Sequence, residues 1–149
     1  MTITIKTPDE SNREAWESLY RGYATYYDML MTDSTLGTVW CWIQSGKSLQ
    51  GRIAVDETGQ AVGLMHFRAM PSPLRGSEVG FLDDLFVNPA HRGSGVVTVM
   101  LSALKEEASA QGWPFVRWIT RENNYRARTV YDRAAQQTNW VTYQLNLHS

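Results

Sequence analysis

The residues best equipped for chemistry gather between Phe81 and Val97, in the run Phe-Leu-Asp-Asp-Leu-Phe-Val-Asn-Pro-Ala-His-Arg-Gly-Ser-Gly-Val-Val. Asp83 and Asp84 are adjacent in a stretch that reads as a strand. Strand alternation puts their carboxylates on opposite sheet faces, Asp83 with Leu85 and Val87. Asn88-Pro89 then turns the chain, and Arg92-Gly93-Ser94-Gly95 leads directly into a helix. The first N–H groups of a helix have no partner within it, and the positive end of the helix dipole reinforces them, so this junction is a candidate anion site. Glycines let the backbone approach a phosphate closely, and Arg92 adds charge. An ordinary glycine-rich connection would share these features. The Gly-Lys-Ser/Thr ending of a P-loop is absent. So are the third glycine and the N-terminal strand order of a dinucleotide-binding fold.

Downstream, Asn124 opens a helical stretch whose stripe is Ala127, Val130, Tyr131, Ala134 and Ala135. On periodicity alone Tyr131 is a core tyrosine and Asn124 an N-cap. Arg117, Arg121, Arg126, Arg128 and Arg133 make this region basic, the usual mark of a solvated face. Aromatic residues crowd the N-terminal third: Tyr20, Tyr23, Tyr26, Tyr27, Trp40 and Trp42. Most belong in a core, with Tyr27 and Trp40 the candidates for packing an amine by burial or cation–π attraction. His66 and His91 stand isolated, without metal-ligand spacing, so they read as structural or surface residues and no metal is expected. Cys41, flanked by Trp40 and Trp42, lacks activating neighbours and reads as buried and structural.

The elements that must position these groups follow from periodicity and punctuation. Thr2–Lys6 alternates as a strand; a helix runs from Pro8-Asp9 to about Tyr27, with Trp16, Leu19, Tyr20, Tyr23 and Tyr27 on one face. A second helix is capped by Asp33 or Ser34 and stops at Gly46. Gln50–Val55 and Ala61–Met70 form strands around a Glu57-Thr-Gly-Gln turn, and Pro71–Gly76 is a loop. Val79–Val87 is a third strand of the meander. Ser94–Gln111 is a helix closed by Gly112, and Pro114–Thr120 an interior strand. Asn124 to about Gln137 is a helix, and Trp140–Leu147 a last strand. The order β-α-α-β-β-β-α-β-α-β is an α/β fold with a mixed, mostly antiparallel sheet flanked by helices.

With 149 residues and no repeat or linker, the chain reads as one domain, 1–149. An apolar share of 43% with six Trp excludes disorder. No run approaches the ~20 apolar residues of a membrane span, and the start lacks a signal-peptide pattern. A net charge of −1 exerts no pull on nucleic acid or anionic membrane. One cysteine allows no intramolecular disulfide, which fits a cytoplasmic location.

Taken together, Arg92-x-x-Gly95 after a strand, Pro89 upstream, the acidic strand Phe81–Val87 and the motif Asn124-x-x-Ala127-x-x-x-Tyr131 resemble the GNAT superfamily of N-acetyltransferases. The strand is most similar to the diamine and yeast-type branch. The resemblance implies acetyl-CoA as donor and direct transfer of its acetyl group to a primary amine of a small molecule or protein. It places the pantetheine arm and thioester carbonyl on the backbone of Leu85, Phe86 and Val87, since the family's fourth strand splays from the fifth. The pyrophosphate falls to Arg92, Gly93, Ser94, Gly95, Val96 and Val97, and Asn124 reaches the pantetheine arm. Asp83 aligns with the base, acting through water, and Asp84 serves substrate charge. Tyr131 aligns with the acid that protonates the thiolate, and Arg126 or Arg128 could meet the nucleotide phosphates. The acceptor would lie among the first two helices and the Pro71–Gly76 loop.

Three positions depart from the family pattern. Val97 stands where Gly or Ala is usual, Thr138-Asn139 replaces a Gly before the last strand, and one clear strand follows the last helix where two are common. A homodimer whose neighbour completes the sheet edge is the corresponding expectation. The alternative reading is a catalytically weak acyl-CoA-binding regulatory module; an intact acidic strand and Tyr131 favour the enzyme.

Overall fold

Alternating residues at Thr4–Lys6 form strand β1, the first of the elements in a computed structural model that describes residues 2–148. Asp9 and Asn12 then build a capping box. The Asp9 carboxylate accepts from Ser11 N–H at 2.9 Å and Asn12 Oδ1 from Asp9 N–H at 3.0 Å. A short 3-10 turn at Glu10–Asn12 therefore precedes helix α1, Arg13–Tyr26. Helix α2, Asp33–Ser45, is capped by the Thr32 hydroxyl, one residue before the expected position, and ends at Gly46 in the left-handed conformation.

Strands β2 (Gln50–Val55), β3 (Ala61–Ser72) and β4 (Ser77–Val87) form an antiparallel meander. The last two reach further than expected, so that the loop between them shrinks to four residues, 73–76. Helix α3 spans Val96–Gln111 and closes at Gly112. Strand β5 is only Val116–Arg117 and pairs parallel to β4 through Gly80 and Phe81. The five-stranded mixed sheet runs in the order β1-β2-β3-β4-β5.

Two compact units divide the chain, one ending at Ile119 and one beginning at Thr120. In the first, α1 and α2 cover one sheet face. Trp16, Leu19, Leu36, Val39, Trp40 and Ile43 pack there on Ile53, Leu64 and Phe86. Trp113 meets Phe67, and Met100 approaches Gly63, on the opposite face with α3. Burial of each large apolar side chain contributes about 1.5–3 kcal/mol relative to exposure.

Three expectations are corrected, and Trp40 is located. Cys41 is exposed, because the buried positions of α2, at 36, 39, 40 and 43, leave 41 and 42 on the outer side of the helix. Trp40 is 4% exposed, with its ring centroid 5.2 Å from that of Trp16, so it packs in the core. Strand β5 is an edge strand rather than an interior one, since among the described residues no strand pairs with its other side. Residues 140–147 form no strand: they pair with no ladder among the described residues, and Tyr143 is 91% exposed. Alternation alone does not make a strand when no neighbour takes up its backbone groups.

In the second unit, helix α4 spans Tyr125–Ala134. The Asn124 side chain does not cap it but lies 3.4 Å from Thr120 Oγ1.

Candidate active site

The β3–β4 ladder carries one irregularity, and it falls on the acidic pair. His66 pairs with Asp84 and Phe67 with Leu82, so Asp83 is an extra residue on β4, a β-bulge. Alternation is reset there. Asp83 bonds Arg68 (Nε to Oδ2, 2.9 Å), while Asp84 bonds His66 (Nδ1 to Oδ2, 2.8 Å). His66 and Arg68 are two apart on β3 and share a face. Both carboxylates therefore act on the α1 face, whereas Leu85 and Val87 pair with Met65 and Gly63 on the other. The expected split of the two aspartates across the sheet, with Asp83 beside Leu85 and Val87, is corrected by this bulge.

Asp84 is the centre of a buried polar chain. The Trp16 indole N–H donates to His66 Nε2 at 3.0 Å, and the Tyr20 hydroxyl donates to Asp84 Oδ2 at 2.8 Å. An indole can only donate, so Nε2 of His66 holds a lone pair and its hydrogen sits on Nδ1, aimed at Asp84. His66 thus faces the carboxylate through Nδ1–H and the indole through Nε2.

Burial alone would raise the Asp84 carboxyl, but hydrogen bonds from His66, Tyr20 and Tyr23 outweigh it and hold the group below its ordinary value. Burial first, and then the Asp84 charge, push the Tyr20 and Tyr23 phenols far above theirs. A carboxylate accepts about four hydrogen bonds. His66 and Tyr20 both bond Oδ2, so the carboxylate has acceptor capacity beyond these two bonds.

Beyond Phe81, the β5-side edge of β4 has no ladder partner among the described residues. The chain then reaches the turn. Asn88 Oδ1 accepts from Ala90 N–H at 3.0 Å, and Ser94 Oγ donates to the His91 carbonyl. Gly93 and Gly95 hold φ of 82° and 85°, and helix α3 starts two residues later than expected, at Val96.

Its first intrahelical bond runs from Val99 N–H to the Gly95 carbonyl. The N–H groups of 96, 97 and 98 precede that bond, and Gly95 offers no side chain to cap them. A Cβ placed at Gly93 or Gly95 would meet nothing within 4 Å. Three converging donors, the dipole end and open space fit a pyrophosphate. Arg92 lies 5.6 Å over the Tyr26 ring, which places its charge at the mouth of the turn. Val97, the residue that departs from the family pattern, is half-buried and contributes its amide.

Left-handed glycines make a direct prediction. Gly95→Ala forces a Cβ into a conformation costing roughly 1–2 kcal/mol, so the KM for acetyl-CoA should rise about 10-fold with little change in KM for the amine. Saturation curves for both substrates check this.

The sequence matches the Acetyltransferase (GNAT) family over residues 13–135. It is 30% identical over 146 residues to the D-amino-acid N-acetyltransferase HPA3 of Saccharomyces cerevisiae, covering 97% of this chain and 91% of that protein. The chain belongs to the GNAT acetyltransferase family. It is an N-acetyltransferase, and the family's donor is acetyl-CoA.

Among solved structures, a ribosomal-protein-alanine N-acetyltransferase from Brucella melitensis biovar Abortus superposes with a TM-score of 0.83 at 19% identity, over 99% of this chain and 100% of that one. The aminoglycoside N-acetyltransferase AAC(6')-Iy in complex with CoA gives 0.85 at 20%, over 99% and 96%. Both share the acetyltransferase's α/β fold.

The other candidates fall as follows. Tyr27 is half-buried at the end of α1, with its ring 4.9 Å from Tyr23. Asn124, Arg126, Arg128 and Tyr131 all belong to the second unit, where Tyr131 is half-buried and Arg128 bonds the Glu122 carbonyl at 2.6 Å. Sequence reasoning missed His66, Trp16 and Tyr20 as partners of Asp84. One signal was available: a histidine amid the apolar β3 run Val62–Phe67 must find polar partners inside.

Proposed function

We propose that this acetyltransferase moves the acetyl group of acetyl-CoA directly to the primary amine of a small molecule of the amino-acid class, with Asp84 rather than Asp83 receiving the ammonium. The observation that carries this reading is the ionised Asp84, buried in a hydrogen-bonded frame on the strand that feeds the anion-binding turn. Asp83 is instead tied to Arg68 by two hydrogen bonds. The name of the yeast relative supports the acceptor class.

In this mechanism the backbone of Leu85, Phe86 and Val87 holds the thioester arm, and the N–H groups at 96 and 97 hold the pyrophosphate beside Arg92, Gly93 and Ser94. Acetyl-CoA supplies the activated acetyl carbon. Asp84 anchors the ammonium. An ordinary Asp lies about four pKa units below an α-amino group, so direct transfer to its carboxylate is uphill by roughly 5 kcal/mol and more. The proton therefore leaves through water, and Asp84 orients the amine that remains. The nitrogen lone pair then bonds the carbonyl carbon, the C–S bond breaks and the Tyr131 hydroxyl protonates the departing sulfur, while the nitrogen sheds its extra proton to water, from which Tyr131 is reprotonated. Asn124 steadies the pantetheine arm, and Tyr27 borders the acceptor.

The test is thiol release from acetyl-CoA across a panel of primary amines and amino acids, run beside Tyr131→Phe. Wild type should turn over amino-acid amines, and the phenylalanine variant should lose about 10-fold in kcat with KM values held, the pattern of a lost proton donor. Tight acetyl-CoA binding with no thiol release across the panel would overturn the reading.

A further inference from the structure

Three strands bring charged and aromatic side chains into one row on the face that carries Asp84. Arg68 on β3 pairs with Phe81 on β4, and Phe81 pairs with Arg117 on β5. Residues opposite one another in register share a face. Neighbouring contacts agree: the Arg68 guanidinium lies 5.0 Å over the Phe81 ring, and Arg117 lies 4.5 Å over Phe115, two residues before it on β5. His66, which marks the level of Asp84, is two residues along β3 from Arg68. The backbone of Arg68 thus stands one pleat repeat, about 7 Å along the strand, from the level of Asp84.

We propose that Arg117, with Arg68 beside it, forms a carboxylate subsite, so that the preferred acceptors are α-amino acids bound as zwitterions. This rests on the acetyltransferase reading above and deepens it. The charge pattern is that of the ligand reversed. Asp84 meets an ammonium at one end of the row and two guanidiniums meet an anion at the other, with Phe81 between them. An amine and a carboxylate one carbon apart are closer together than the two ends, and the long arginine side chains make up the difference. A guanidinium has five N–H donors, and a bidentate carboxylate uses two. Arg68 spends Nε and Nη2 on Asp83 and keeps further donors. Stacking on aromatic rings orients a guanidinium while leaving its N–H edge to bond in plane.

The experiment compares kcat/KM for phenylalanine, alanine and lysine, in both enantiomers, with kcat/KM for the corresponding carboxamides, which keep the shape and lose the charge. Arg117→Gln should cut the acid-over-amide ratio by about 10- to 100-fold, the worth of a charged hydrogen-bonded pair, and Arg117→Lys should restore part of it. A ratio is insensitive to the fraction of protein folded. Lys105→Gln, which removes an exposed charge from helix α3 on the opposite face of the sheet, should leave the ratio within about twofold. An unchanged ratio in Arg117→Gln sinks the subsite alone. No turnover of any acid, amide or simple amine sinks the proposed function with it.

Discussion

Asp84→Asn is expected to lower kcat/KM for the amine about 100-fold or more while acetyl-CoA binding stays within about twofold, as an isosteric amide removes charge but little volume. The amide oxygen can still accept from Tyr20 and His66, so the frame survives. What is lost is the anion that holds the ammonium in a site screened from water, an interaction of about 3 kcal/mol or more. Asp83→Asn is the contrast. That carboxylate already answers Arg68, and its loss should cost less than about 10-fold. A larger loss in Asp83→Asn than in Asp84→Asn would return the base to the bulged residue.

The same substitution has a stability signature. The Asp84 carboxyl is held below its unfolded value, so its contribution is present above the unfolded pKa and fades as pH falls through the lower folded one. Wild type should therefore lose its advantage over Asp84→Asn only below about pH 4, as read from denaturation midpoints between pH 7 and pH 3.

How much of this was legible beforehand depends on whether the cause was local. Helix α1 announced itself by Trp16, Leu19 and Tyr23, strands β2 to β4 by alternation and turn residues, and the end of α3 by Gly112. Each is decided within a few residues. The bulge at Asp83 is not. Two adjacent aspartates read the same with or without an extra residue in the ladder, because the extra residue is defined only by the partner strand, where His66 meets Asp84 and Phe67 meets Leu82.

The site shows the same division. The turn 92–95 was legible, since glycines and a helix start are local facts, though the helix begins only at Val96. The partners of Asp84 lie 64, 18 and, through His66, a further 50 residues away in sequence. A histidine without metal-ligand spacing therefore looked isolated. Cys41 was misread for a related reason. An apolar run of three on a helix cannot all face inward, and the register of α2 on the sheet decides which residue does.

Trp16→Phe is expected to destabilise the acetyltransferase by about 2–4 kcal/mol, far beyond the loss of ring area. Trp16 is 0% exposed, stacked 5.2 Å from Trp40 and 5.8 Å from His66. Phenylalanine keeps an aromatic ring in the same place but leaves a small void, costing roughly 1 kcal/mol. It also removes the one donor to His66 Nε2 among the described residues, and an unpaired buried acceptor costs about 1–3 kcal/mol. For a chain of this length that corresponds to a fall in Tm of roughly 4–16 °C. The indole also fixes which nitrogen of His66 carries the hydrogen. Ring 15N shifts should report a single Nδ1–H tautomer in wild type and a mixture in the variant, with kcat for the amine falling as Asp84 loses a fixed donor. A loss below about 1 kcal/mol together with an unchanged tautomer would mean that the indole contributes packing alone, and that something other than Trp16 orients the His66 ring.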